Sequence, residues 1–146
     1  MSGPPNTCFA AHFQTPFFYN SFMTVNIGMI TIDCTSPSDL AKFWSATLDA
    51  QIVAESDEFV VLAPSREGGP RVGLQRVSDP HTEKNRLHLD IEVDDPKVEV
   101  ERLLTLGANV VGEHSNPGAP EHGIPSFSWT VLTDPEGNQF CVGARL

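Results

Sequence analysis

The sequence is poor in basic residues. Of its 146 residues, Lys and Arg together number 9 and Asp and Glu number 19, which gives a net charge of −10 at pH 7. Binding along a phosphate backbone needs basic patches, so this balance argues against a nucleic-acid partner. It favours a neutral or cationic ligand, although acidic surfaces also serve solubility alone.

Cysteines, long apolar runs and common catalytic motifs are also scarce. Cys8, Cys34 and Cys141 lack the spacing of a metal or redox pair, which predicts reduced thiols in a cytoplasmic protein. No apolar run reaches membrane-spanning length, so we expect no membrane partner. The sequence contains no dinucleotide fingerprint, P-loop, nucleophile elbow or H-E-x-x-H motif.

Residues 1–24 are a predicted tail, in which Pro, Asn and Phe are scattered without a period. The segment lacks the features of a secretory signal, and strand-like alternation begins directly after Met23. We interpret Met23 as the native or an alternative start; the other interpretation is an ordered arm that packs its phenylalanines on the domain or a partner. The intact mass of the natively expressed protein distinguishes the two.

Residues 25–146 show the pattern strand, helix and three strands, twice. The predicted helices begin at Ser36-Pro37 and Asp95-Pro96, where the first residue can cap, and Gly107 ends the second one. The predicted strands cover 25–33, 51–54, 58–63, 71–77, 85–95, 109–112, 126–133 and 139–144. Residues 113–125, rich in Gly, Pro and His, form a predicted loop that can serve as a lid.

The two halves match each other in sequence. Residues 48–55 read LDAQIVAE and residues 106–113 read LGANVVGE, and upstream of the helices Met29 corresponds to His88. Such a duplication predicts two similar modules, about 25–78 and 85–146, related by a pseudo-twofold axis. Each sheet would turn one face inward, towards a central cavity.

The doubled βαβββ order resembles the vicinal oxygen chelate superfamily of glyoxalases, bleomycin-resistance proteins and extradiol dioxygenases. The segments LAKFW at 40–44, KNRLHLD at 84–90 and DPEGNQFCV at 134–142 carry the resemblance. The last two are similar to a glyoxalase-like subgroup that is frequent in actinobacteria. The resemblance implies an α+β fold of two βαβββ modules that form a cup-shaped sheet, and a homodimer.

Alternation along the strands predicts which side chains face the cavity. The candidate ligand-binding residues are Asp33, Gln75, His88, Asp90, Glu92, Trp129 and Cys141. His88 and Asp90 are also the candidates for acid–base catalysis. The alternative is that the carboxylates are solvated strand residues and that Cys141 is a small filler. The predicted loop holds His114 and His122, which we expect to be solvated.

In metal-dependent members of the superfamily, four strand positions supply ligands, and these map to Met29, Gly73, His88 and Cys141. Gly73 has no side chain, and the Met29 thioether is a poor ligand for Zn²⁺, Ni²⁺, Mn²⁺ or Fe²⁺. His88 and Cys141 make two ligands where an open zinc site has three, and Asp90 or Glu92 could add a third only with unusual geometry. We therefore predict no metal and no other cofactor, with His88 as the fallback ligand.

The predicted function is small-molecule binding in the central cavity, with drug or metabolite sequestration as the resemblance implies. The acidic strand favours a polar or cationic, partly aromatic ligand that stacks on Trp129 and pairs with Asp90 or Glu92. One alternative is a lyase or isomerase of glyoxalase type, metal-assisted or metal-free, that uses His88 and a nearby carboxylate. Another is a structural or regulatory module whose cup is filled by side chains.

Overall fold

The computed structural model describes residues 27–145, so the predicted tail and Cys8 lie outside the described residues. Two β-α-β-β-β modules follow one another, as the repeat predicts. Their elements are β1 (Met29–Cys34), α1 (Pro37–Leu48), β2 (Ile52–Glu55), β3 (Phe59–Leu62), β4 (Arg71–Arg76), β5 (Asp90–Val93), α2 (Pro96–Thr105), β6 (Asn109–Asn116), a 3₁₀ turn (Pro120–His122), β7 (Phe127–Thr133) and β8 (Gln139–Ala144). Neither α1 nor α2 is long and apolar enough to cross a membrane.

Each module forms its own four-stranded sheet. The strand orders are β1-β4-β3-β2 and β5-β8-β7-β6, so the two sheets have the same topology. In both sheets the first and last strands of the module pair in parallel, and the remaining pairs are antiparallel. The predicted fold class, α+β with two βαβββ modules, is confirmed.

The two modules share one hydrophobic core on the helix side of the sheets. Three aromatic rings cross the boundary between the modules: Phe43 and Trp44 of α1 pack edge-on against each other, and both pack against Phe140 of β8. The Trp44 and Phe140 centroids are 5.1 Å apart, a distance typical of favourable aromatic pairs. The helix side is therefore filled, and the opposite sheet faces are left for other uses.

The start of α1 is capped by a residue from the other module. Ser36 lies at the N-cap position as predicted, but its hydroxyl bonds the Asp39 carboxylate instead of a helix amide. The carboxylate of Glu136, in the β7–β8 turn, accepts from the backbone amides of Thr35 and Ser36 at 2.6 and 2.8 Å. In α2 the predicted cap is confirmed, because Asp95 accepts from two amides of the first turn.

Both helices end in a left-handed residue at the same position of the repeat. Gly107 has φ +105°, as predicted for a glycine after a helix, and the matching residue Asp49 has φ +49°. Aspartate tolerates this conformation better than most residues with a side chain. The duplication therefore extends to backbone geometry.

Two predicted boundaries in the second module are wrong. Of the predicted strand 85–95, only Asp90 to Val93 forms β5, and the side chain of Leu87, before it, is 67% exposed. Strand β6 continues to Asn116 instead of stopping at 112, so the loop is shorter than predicted. His114 is consequently a strand residue, paired with Trp129 of β7, and not a loop histidine.

Candidate functional site

A cavity of about 660 Å³ lies on the inner face of the second sheet. All of its lining residues lie between 84 and 144, in the second module or directly before it. We predicted that the two sheets would line one central cavity together, and for this cavity that prediction is wrong. The lining residues are Lys84, His88, Asp90, Ile91, Glu92, Val111, His114, Phe127, Ser128, Trp129, Val131, Gln139, Phe140, Cys141, Gly143 and Ala144. Five predicted ligand-binding residues are among them.

One row of the cavity floor joins a carboxylate to an aromatic surface. Glu92 pairs with Gly143 across β5 and β8, Gly143 pairs with Trp129, and Trp129 pairs with His114. Residues paired in this way lie on the same face of a sheet. The row therefore reads carboxylate, bare backbone, indole and imidazole, with Gly143 leaving open space between Glu92 and Trp129.

The aromatic side of this row is a continuous stack of three rings. The Trp129 centroid lies 5.3 Å from that of Phe127 and 5.5 Å from that of His114, and the ring planes differ by 27° and 22°. His114, Phe127 and Gly143 were not among the predicted site residues. Counting alternate positions outward from Trp129 would have found Phe127, whereas finding His114 required the true length of β6.

The adjacent row brings together the imidazole, a carboxylate and a thiol. Asp90 pairs with Cys141 across β5 and β8, and His88 precedes Asp90 by two residues on the same side. His88 Nδ1 lies 2.9 Å from Asp90 Oδ1 and 3.8 Å from Cys141 Sγ. The side chains of His88 and Asp90 are 40% and 68% exposed, so both face the open space of the cavity.

Cys141 is a protonated thiol at neutral pH. Burial, followed by the hydrogen bond to the Asp90 carboxylate and the charge of that carboxylate, raises the pKa of this thiol to about 11. A nucleophilic cysteine needs a lowered pKa, so this environment disfavours the thiolate. The raised pKa therefore argues against a nucleophilic role for Cys141.

On the corresponding face of the first sheet, the space above Gly73 is filled. A Cβ atom on Gly73 would lie 2.6 Å from Phe59 Cζ and 3.1 Å from Met29 Sδ, so these side chains already occupy that space. By strand register, Phe59 corresponds to Trp129 and Gly73 to Cys141. The aromatic residue at this position therefore fills the space above Gly73 in the first module, whereas in the second module it lines an open cavity.

The two remaining candidates lie apart from this cavity. Asp33 lines a smaller cavity of about 230 Å³ between the modules, together with His81 and one side of His88. Gln75 is exposed on β4 and lines none of the cavities found in residues 27–145. Gln75 corresponds to Gly143 in the repeat, so the first module has a side chain at the position where the second module has only backbone.

The four ligand positions implied by the resemblance do not form a set that fits a metal ion. Met29 supplies only a thioether, and Gly73 has no side chain and is covered by the Phe59 ring. A different set exists within the second module, where one ligand atom each of His88, Asp90 and Cys141 lies within 4.8 Å of the others.

Two sheets of matching topology, each built by one βαβββ module, give the fold that the resemblance to the vicinal oxygen chelate superfamily implies. More narrowly, the sequence model of the glyoxalase-like domain matches residues 29–143, and the chain belongs to that family. No protein with a curated description is significantly similar to it in sequence. The actinobacterial subgroup stays a prediction.

Solved structures of the superfamily superpose over most of the chain. A glyoxalase/bleomycin resistance protein/dioxygenase family enzyme from Burkholderia phytofirmans PsJN is 17% identical, with a TM-score of 0.66 over 84% of this chain and 100% of the other. A glyoxalase-related enzyme from Fulvimarina pelagi is 14% identical (TM-score 0.62; 82% and 88% covered). A lactoylglutathione lyase from Agrobacterium tumefaciens is 16% identical (TM-score 0.57; 83% and 94% covered). At these identities the similarity shows the fold.

Proposed function

We propose that the protein binds a small aromatic cation in the cavity of the second module, as a sequestering protein for a drug or metabolite. The observation that carries the proposal is the row in which Glu92 and Trp129 flank Gly143. A planar cation lying over Gly143 would stack on the indole ring and place its charge near the Glu92 or Asp90 carboxylate.

The size and charge of the site support this ligand class. The cavity volume of about 660 Å³ lies within the range of roughly 300–1,000 Å³ that is typical of sites for drug-sized ligands. The net charge of −10 favours the approach of a cation over that of an anion. The Burkholderia relative is named as a member of a family that includes bleomycin resistance proteins, which agrees with a sequestering role.

Calorimetric titration with planar aromatic cations, each compared with its uncharged isostere, tests the proposal. We expect saturable binding of the cations, accompanied by a change in fluorescence from Trp129, since the other tryptophan, Trp44, is 1% exposed. Trp129→Ala and Glu92→Gln should each weaken binding about tenfold. Glu113→Gln is the matched control, because Glu113 precedes His114 on β6 and points to the opposite face.

Equal affinity for the cations and their neutral isosteres would contradict the charge pairing. No binding across the panel, by calorimetry and by thermal shift, would contradict the ligand class altogether.

A second candidate function is acid–base catalysis of the lyase or isomerase type. The observation that favours it is the 2.9 Å contact between His88 Nδ1 and Asp90 Oδ1, which orients the ring and leaves Nε2 for proton transfer. Because one structural relative is a lactoylglutathione lyase, turnover of S-lactoylglutathione is the assay. Activity that survives His88→Ala unchanged would eliminate this role.

We also propose a homodimer, as the resemblance to the superfamily implies. The outer strands β2 and β6 expose apolar side chains at matching positions of the repeat, Ile52 and Val53 in one and Val110 and Val111 in the other. Light scattering should give about twice the chain mass of 15.9 kDa. Val53→Lys and Val111→Lys should reduce this mass if these strands form the contact; an unchanged dimer would place it elsewhere.

A further inference from the structure

The side chain of Asn85 is inserted between two backbone segments of the second module. Its Oδ1 accepts a hydrogen bond from the backbone amide of Gln139 at 2.9 Å, and its Nδ2 donates to the Gln139 carbonyl at 3.0 Å. The same Nδ2 donates to the Leu87 carbonyl at 2.7 Å. One side chain therefore binds both backbone groups of Gln139, at the start of β8, and one backbone group of the chain that leads into β5.

In the first module, the equivalent strands meet without an inserted side chain. The Arg71 amide donates directly to the Gly28 carbonyl at 3.1 Å, and the pairing then continues along all of β1. By register and by the repeat, Arg71 corresponds to Gln139 and Gly28 corresponds to Leu87. The direct bond from Gln139 to Leu87 that this comparison predicts is replaced by bonds from each of them to Asn85.

The inserted side chain explains why β5 is shorter than β1. Strand β5 has four residues, Asp90–Val93, whereas β1 has six. The two missing positions are His88 and Leu89. Within residues 27–145, the Leu89 amide makes no backbone bond to the Gln139 carbonyl, which instead accepts from the Asn85 side chain.

Residues 84–89, the wall stretch, form one side of the ligand cavity. Lys84 and His88 both line that cavity. The wall stretch also borders the smaller cavity of about 230 Å³ through Leu87 and the other side of His88. The distance between the wall stretch and β8 therefore determines where two of the cavity's polar side chains lie.

We propose that Asn85 is a positioning residue, whose inserted side chain keeps the wall stretch apart from β8 and thereby places Lys84 and His88 at the edge of the cavity. The role is indirect, because the side chain satisfies backbone groups that the two segments would otherwise satisfy between themselves. Its consequence for ligand affinity rests on the proposed function, whereas the position of the wall stretch does not.

Removal of the Asn85 amide should let the two segments close. The N–H and C=O groups of Gln139 would lose their partners, and backbone groups away from water are seldom left unpaired. A bond from Gln139 N–H to Leu87 C=O and another from Leu89 N–H to Gln139 C=O would satisfy them, in the pattern of the first module. Burial of the exposed Leu87 side chain favours the same movement, which brings His88 towards Gln139 and over the cavity floor.

Hydrogen exchange at the Leu89 amide, followed by NMR, tests the proposal. In Asn85→Ala this exchange should become at least about tenfold slower than in the wild type, because the amide gains a bond to Gln139. A side chain that only stabilises the region predicts the opposite, since the loss of three hydrogen bonds would loosen it. Asn116→Ala is the matched control: Asn116 Oδ1 also accepts from a backbone amide, that of Gly118 at 2.8 Å, and its loss should leave Leu89 exchange unchanged.

A double variant checks that closure is the cause of the slower exchange. Leu87→Asp added to Asn85→Ala puts a carboxylate where closure would bury it, so Leu89 exchange should return to the fast rate. Exchange that stays slow in the double variant would overturn the proposal, as would fast exchange in Asn85→Ala itself. Failure of Asn85→Ala to fold would overturn it too, because direct pairing has to replace the lost bonds.

Titration with the planar aromatic cations tests the consequence for the site. Asn85→Ala that shows slow Leu89 exchange should bind them at least about tenfold more weakly, because His88 then lies over the cavity floor. Unchanged affinity in that variant would contradict the positioning role. Should the wild type bind no cation, the proposed function fails, whereas Leu89 exchange still decides whether Asn85 holds the wall stretch in place.

Discussion

The indole Nε1 of Trp44 donates a hydrogen bond of 3.0 Å to Asp134 Oδ2, although the two residues are 90 positions apart in the chain. Asp134 is 1% exposed and also accepts from the amides of Glu136 and Asn138 and from the Asn138 side chain. A buried carboxylate is tolerated only when its hydrogen bonds are satisfied. This one ties α1 of the first module to the β7–β8 turn of the second.

Removing the Asp134 carboxylate should destabilise the whole fold. Asp134→Ala leaves the Trp44 N–H and two backbone amides without their acceptor, which we expect to cost about 3 kcal/mol of unfolding free energy in urea. Trp44→Phe keeps most of the ring volume and removes one donor, so its cost should be smaller. A double-mutant cycle with strictly additive effects would show that the two residues are not coupled.

The cap of α1 gives a prediction that separates two explanations. Glu136→Ala removes the acceptor of two helix-start amides and the Thr35 hydroxyl, and should cost about 1–2 kcal/mol of unfolding free energy. Ser36→Ala removes only an exposed bond to Asp39, and should cost within about 0.5 kcal/mol. The reverse order of these two values would mean that Ser36 is the true cap.

Filling the cavity floor should abolish ligand binding without unfolding the protein. A Cβ atom on Gly143 would meet Ser128 O at 3.4 Å and Trp129 Cβ at 3.6 Å, which are ordinary contacts. Gly143→Val therefore fits the sheet but occupies the space between Glu92 and Trp129, and affinity for aromatic cations should fall at least about tenfold.

Gly28→Ala is the matched control for this change, because a Cβ atom there meets nothing within 4 Å. Cation affinity that stays the same in folded Gly143→Val would place the ligand elsewhere.

Cys34 should make stability depend on pH in the alkaline range. Burial, and after it the negative charges of Glu136, Asp134 and Asp33, raise the pKa of its thiol to about 11. The unfolded thiol ionises first, so the stabilising contribution is complete below about pH 9 and is lost as the pH rises towards 11. Cys34→Ala lacks this loss.

Urea unfolding of both proteins at several pH values measures the effect. The stability of the wild type relative to Cys34→Ala should fall by about 2 kcal/mol across this range. If the unfolding free energies of the two proteins change with pH in parallel, the pKa of the Cys34 thiol is not raised by folding.

The fold was predictable because its signals are local and occur twice. The Pro37 and Pro96 helix starts, the residues that end the helices, and strand alternation all depend on neighbours in the chain. The repeat then supplied the topology. Two boundaries were wrong. In 85–89 the alternating pattern continues although the chain is not part of β5, and in 113–116 strand β6 continues through polar residues that read as a loop.

The site was less predictable because its contacts join distant strands. Alternation placed Asp90, Glu92 and Trp129 on the correct face, but it could not say that Phe59 covers Gly73, since both residues read as ordinary strand positions. The Glu136 cap spans about 100 residues and has no local signal. Register between β5 and β8, which no single strand encodes, determines that Asp90 and Cys141 meet.

The difference between the two inner sheet faces has a consequence for stoichiometry. A duplicated domain suggests two equivalent binding events per polypeptide, yet Phe59 and Met29 fill the space over Gly73 in the first module, whereas an open cavity lies over the corresponding face of the second. Under the proposed function, we therefore expect one saturable binding event per polypeptide, in the cavity of the second module. A dimer would carry two such events, and each of them would belong to the carboxyl-terminal half of its own chain.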